Sequence, residues 1–348
     1  MMMSETSRPG FTSDYMEGAH PAILQRLAET NMVQAAGYGL DAFSERAREK
    51  IRAACAAPSA EIHFLTGGTQ TNMTVISAML RPYQGVVAAE TGHIALHEAG
   101  AIERGGHKVL ALPAVDGKLT ADAVAACLSA YADDENRGHM VMPGMVYVTH
   151  PTEYGTLYTR AELTAVSDVC RAHGVPLFLD GARLAYALGC RANEVTLADI
   201  VRLTDVFYIG GTKCGALIGE AVVFPQPGTV PHFFSIVKQC GALLAKGRLL
   251  GIQFDMLFTD GLYERCGAHA IAAADRIRAA LRERGYRFAW ETPTNQIFLA
   301  LSPAERERLE QHVQIDFWEK ISDETTVMRI ATSWATRAED VDRLIAAL

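Results

Sequence analysis

The chain has no Cys-x-x-Cys pair, no Gly-x-Gly-x-x-Gly run, no block of basic residues and no apolar stretch near the ~20 residues of a membrane span. Its seven cysteines (55, 127, 170, 190, 214, 240 and 266) are scattered and odd in number, which points to reduced core thiols rather than disulfides or zinc ligands. A net charge of −8 without a basic block argues against nucleic acid as a partner. The start, MMMSETSRPG, has no hydrophobic h-region, so no secretory signal is expected and a cytoplasmic protein is. The missing dinucleotide fingerprint argues against a dinucleotide carrier. Repeats and low-complexity linkers are also absent.

At 348 residues the chain exceeds one ordinary core, so a large domain plus a smaller one is expected. Apolar runs of strand length recur at 61–65, 85–89, 108–112, 145–150, 176–180, 205–210 and 220–224. Amphipathic stretches separate several of them, such as 160–173, which ends in His173 and Gly174 as helix-stop chemistry requires. This alternation predicts an α/β fold with a mostly parallel seven-stranded sheet covered by helices on both faces. After Phe224 the pattern changes: prolines 225, 227 and 231 break the chain and a long helical reading runs from about 232 to 275. A strand-like 295–301, a polar helix at 303–313 and a strand-like 327–332 follow. Residues 1–245 are therefore expected to form the large domain, with an N-terminal arm, and 246–348 a small C-terminal α+β domain.

Two stretches carry the most chemistry: Pro176-Leu-Phe-Leu-Asp180-Gly-Ala-Arg183 and Phe207-Tyr-Ile-Gly210-Gly-Thr-Lys213-Cys-Gly215. Each is an apolar strand ending abruptly in glycine and an ionisable residue, and ligands of open α/β sheets bind at that edge. Pyridoxal 5'-phosphate needs an amine for a Schiff base and an anion for its pyridinium nitrogen, which Lys213 and Asp180 would supply. Burial would lower the amine's pKa and favour that chemistry. Arg183, one turn beyond Asp180, presents a planar fork suited to a substrate carboxylate or the cofactor's phenolate oxygen. Gly67-Gly68-Thr69 follows a strand and opens a helix, an arrangement that cradles phosphate. His93 follows the 85–89 strand and a glycine, where an imidazole can stack on a flat ring. Taken singly, each has a plainer reading: a solvated lysine, a helix-capping aspartate, a surface arginine, an N-cap turn and a loop histidine.

With these residues in order, the chain resembles the threonine aldolase/β-eliminating lyase family, whose fold is that of the aspartate-aminotransferase-like pyridoxal-phosphate enzymes. Ser13-Asp14, Tyr38-Gly39, Gly68-Thr69, His93, Glu98-Ala-Gly, Asp180-Gly-Ala-Arg183, Lys213 and Val327-Met-Arg329 match the family's elements over nearly the whole chain. The resemblance implies cleavage of the Cα–Cβ bond of a threonine-like β-hydroxy-α-amino acid to glycine and an aldehyde. Ser13, Arg183 and Arg329 would hold the amino acid's carboxylate. Arg248 would reach the cofactor phosphate of a neighbouring subunit, in a homodimer or homotetramer with shared sites. Where the family has a Thr-His pair, this chain has Thr152-Glu153, with His150 close by, so the proton-handling base is His150 or Glu153. β-Elimination or transamination with the same cofactor, and a non-catalytic binding protein on a parallel α/β scaffold, are the competing readings.

Overall fold

The computed structural model describes residues 8–348. Seven strands form the main sheet: β1 (Glu61–Leu65), β2 (Gln84–Ala89), β3 (Val109–Leu112), β4 (Met142–Thr149), β5 (Leu177–Asp180), β6 (Val206–Gly210) and β7 (Glu220–Phe224). Their order is β1-β7-β6-β5-β4-β2-β3, and β7 alone runs against its neighbours. β5 and β7 are buried at every position, and alternate residues feed two cores. On β2, Val87 and Ala89 face one core while Val86 and Ala88 face the other. A sheet covered on both faces has no reason for polar alternation, so its strands read as continuous apolar runs.

Because β1, β2, β4, β5 and β6 share one direction, their carboxyl ends emerge along a single edge. Register aligns that edge closely: Thr149 lies beside Asp180, and Gly210 beside Glu220.

A second, four-stranded antiparallel sheet has the order β10-β11-β9-β8, built from β8 (Phe288–Trp290), β9 (Gln296–Leu301), β10 (Asp316–Lys320) and β11 (Thr326–Ala331). The N-terminal arm joins it. Phe11 is fully buried in the small core, its N–H bonds the Gln314 carbonyl, and its own carbonyl accepts from Ala331. This anchoring delivers Asp14 and Tyr15 to the functional edge.

The single long helix expected over 232–275 is instead three helices, Phe233–Gln239, Arg248–Leu257 and Leu262–Glu283. The breaks fall at Gly241 and Gly261, both left-handed at φ +69° and +65°, where a helix cannot continue. Residues 248–257 lie beyond the boundary expected at 246, yet Leu250, Phe254 and Leu257 sit in the large core, with Asp255 bonded to Arg46 and Lys50 of the Ala42–Ala54 helix. The change from one core to the other occurs inside the Leu262–Glu283 helix, between Ile271 and Ala273.

That helix lies against the short Leu184–Leu188 helix through Gly267, where a Cβ would overlap the Ala185 carbonyl. Gly267→Ala is expected to lower unfolding free energy by about 1–3 kcal/mol, read as a lower denaturant midpoint, because backbone on both sides must move apart.

Candidate active site

Lys213 is presented by a turn that closes on itself. Gly211 and Thr212 donate their N–H groups to the Gly219 carbonyl at 3.0 and 3.1 Å, and Glu220 accepts a further bond from the Gly211 N–H at 3.0 Å. The Lys213 side chain enters a cavity of about 420 Å³, within the range of small-molecule sites. Tyr15, His93, His97, Glu153, Arg183, Asp316, Phe317, Trp318 and Arg329 complete its lining. Burial, then the charge of Arg183, push the Lys213 amine below the ordinary lysine range, against the pull of Asp14, Asp180 and Glu220. Burial likewise raises the Glu220 carboxyl to about 7, against hydrogen bonds from Thr212 and Gly211.

Asp180 closes β5 with its carboxylate caged by donors. Oδ2 accepts from the Tyr147 hydroxyl (2.5 Å) and the Asn72 amide (3.1 Å), while Oδ1 accepts from the Ala182 N–H (2.9 Å). The same Asn72 amide donates to Glu98 Oε1 at 2.7 Å, and that oxygen pairs with His93 Nδ1 at 2.8 Å. A buried carboxylate on Nδ1 fixes the proton there and leaves His93 Nε2 as the free nitrogen. Glu98 Oε2 and Asn72 Oδ1 are buried acceptors with no protein partner.

The Gly68–Met79 helix begins beside this cage. Its N-cap, Gly67, contributes no side chain, so the first-turn N–H groups remain available to an anion. A Cβ at Gly68 would lie 3.3 Å from the Tyr208 hydroxyl, whose pKa burial and then the charge of Asp180 raise. Gly68 and Thr69 are thereby brought to the same edge as Asp180 and Lys213.

The two arginines differ in how they are held. Arg183 gives Nε and Nη2 to Asp14 at 2.7 and 3.1 Å, and Asn295 adds a bond to the same carboxylate. Burial would raise the Asp14 pKa, but Arg183 and Lys213 beside it bring it down to about 2. Arg329 bonds Gln296 Oε1 (3.1 Å), the Thr12 carbonyl (2.9 Å) and Asp316 (2.7 Å), with its guanidinium 5.3 Å from the Trp318 ring.

Two residues singled out by sequence fall elsewhere, and Arg248, expected at a neighbouring subunit's phosphate, lies away from the cavity of its own chain. Ser13 lines a separate cavity with Met16, Ser333 and Arg337, while its neighbour Asp14 is completely buried against Arg183. Arg248 bonds the backbone carbonyls of Asn31 and Val33 and does not line the Lys213 cavity of its own chain. His150 is fully buried, with the Tyr158 N–H on Nδ1 (3.4 Å) and Asn193 Oδ1 on Nε2 (3.1 Å), so no nitrogen is free for a proton relay. Burial pushes its pKa down to about 4 and keeps it neutral. Glu153 does line the cavity, its Oε1 accepting from the His93 N–H and the Thr149 hydroxyl at 2.8 Å each. Burial, reinforced by the charge of Asp180, raises its pKa despite those bonds.

Asn72, Tyr147 and Asp316 reach the site without any signal in the sequence pattern, and Asp14, Glu98 and Tyr208 were visible only as parts of motifs.

Residues 10–301 match the profile of the beta-eliminating lyase family. The low specificity L-threonine aldolase of a Pseudomonas species is 31% identical over 305 residues, covering 86% of each chain. A solved structure of Leishmania major threonine aldolase superposes with a TM-score of 0.94 at 44% identity, covering 97% of this chain and 98% of that one. A Thermus thermophilus aspartate aminotransferase shares the fold, with a TM-score of 0.71 at 14% identity. With the profile spanning most of its length, this chain belongs to the beta-eliminating lyase family.

Proposed function

We propose that this protein is a pyridoxal-phosphate-dependent aldehyde-lyase that cleaves the Cα–Cβ bond of a threonine-like β-hydroxy-α-amino acid to glycine and an aldehyde. The observation that carries the reading is the convergence on one edge of a buried amine at 213, a caged carboxylate at 180 and two arginines at the same cavity. The threonine aldolase names of the relatives at 31% and 44% identity support the choice of substrate.

The residues present fit pyridoxal phosphate. Lys213 would hold its carbonyl carbon, Asp180 its pyridinium nitrogen and His93 its ring face, while Gly68, Thr69 and the uncapped helix N-terminus would take its phosphate. Bound there, the cofactor supplies an electron sink for charge released at Cα. Lys213 suits the attachment because burial and Arg183 favour its neutral amine. Arg329 and Arg183 would grip the substrate carboxylate, fixing which bond at Cα stands perpendicular to the ring. Glu153 would take the β-hydroxyl proton on Oε2, since both of its protein donors occupy Oε1.

The proposal includes a cytoplasmic homo-oligomer, dimer or tetramer, in which Arg248 reaches a neighbour's phosphate site. Its support is the exposure of Met32 (88%) and Leu40 (67%) on the segment that Arg248 anchors, and seven free thiols, most of them buried. No helix among the described residues is long and apolar enough to cross a membrane.

Lys213→Ala should abolish both the visible absorbance of the purified protein and aldehyde release from threonine or allo-threonine; a coloured, active variant would refute the assignment. Glu153→Gln should lower kcat by about 10²-fold or more. In the wild type, kcat/KM should fall as pH drops through the raised Glu153 pKa, since the base must be ionised, and this acid limb should disappear in the variant. His150→Gln should instead cost about 1–3 kcal/mol of stability in denaturant titration, with aldehyde release per folded molecule little changed.

A further inference from the structure

Both arginines available to a substrate carboxylate already hold a carboxylate of the protein, and the two ion pairs are built differently. Asp14 is completely buried, engages Arg183 through both oxygens and is fixed by Asn295 as well. A charge so placed cannot leave without stranding the guanidinium, which makes that pair permanent. Asp316 meets Arg329 through a single 2.7 Å contact, and its side chain is 40% exposed at the cavity wall. It stands on β10, the edge strand of the small sheet, directly opposite Arg329 in register and next to a bulge between Phe317 and Glu319. An exposed, one-point ion pair on an edge strand is weak and readily exchanged.

Arg329 itself is built to receive a ligand. It is 8% exposed, lines the cavity, and its Nε is buried with no protein partner. Thr12, Gln296 and the face of Trp318 hold the guanidinium independently of Asp316, so losing the aspartate leaves the fork aimed.

We infer that Asp316 is an exchangeable counter-ion of Arg329, occupying it in the empty site and giving way to the carboxylate of the incoming amino acid. This inference rests on the amino-acid reading of the site given above. Asp316 sets the affinity for that carboxylate by competition: the substrate gains only the difference between its own contact and the one it displaces. Arg183, locked by Asp14, keeps Nη1 and the second Nη2 hydrogen for the ligand, so both arginines can meet the carboxylate, and Arg329 is the one whose counter-ion can leave.

Equilibrium binding of glycine and of glycinamide to the purified holoenzyme, wild type against Asp316→Asn and Asp316→Ala, tests the inference. Glycine should bind about two- to fivefold more tightly to both variants, and glycinamide, which lacks the carboxylate, should be unaffected. Weaker or unchanged glycine binding, or an equal shift for glycinamide, would overturn it by showing that Asp316 positions Arg329 or merely shapes the wall. If glycine tightens as expected while threonine releases no aldehyde, the aldolase reading falls and the counter-ion role stands.

Discussion

A carboxylate sealed at the end of a buried strand has to be met by donors or it destabilises the fold by several kcal/mol. Asp180 meets this constraint by drawing in Tyr147 from β4, Asn72 from the Gly68–Met79 helix and the Ala182 N–H. Those partners cannot be placed separately. Once Asn72 faces Asp180, its amide also reaches Glu98, and Glu98 orients His93. The residues proposed for ring stacking, for the ring nitrogen and for the phosphate are thus set by one polar cage. Only a sheet whose strands share a direction delivers all of its members to one edge.

The same economy governs charge. Lys213 feels the charges of Asp14, Asp180 and Glu220 against that of Arg183, so its protonation follows neighbours from three separate chain segments. Arg183 both depresses the lysine and holds down the Asp14 carboxyl, which ties the N-terminal arm electrostatically to the lysine turn. Functional sites gather such perturbed groups because their reactions need proton affinities that exposed side chains lack.

Lys213, Asp180, Arg183, His93 and the Gly68-Thr69 turn were legible in the sequence because each follows a strand directly, and strand ends are the feature that apolar runs mark best. Helix boundaries after Phe224 were not, since a single left-handed glycine at 241 or 261 ends a helix without disturbing the surrounding apolar pattern. Side-chain direction within a motif was equally hidden: Ser13 and Asp14 are neighbours, yet Ser13 lines one cavity while Asp14 is buried against Arg183 at the other. His150 and Glu153, three residues apart in a loop, separate in the same way, one sealed behind Tyr158 and one facing the cavity. Asn72, Tyr147 and Asp316 lie on regular elements with ordinary patterning, and only long-range packing gives them a role.

The arm from Pro9 to Asp14 carries a consequence for the order in which the molecule is finished. Phe11 is pinned between Gln314 and Ala331, and the Thr12 carbonyl meets Arg329, 317 positions along the chain. The arm therefore cannot be fixed until the small sheet has formed. Until that sheet is in place, the parallel sheet alone lacks the cavity wall that Asp316, Trp318 and Arg329 supply.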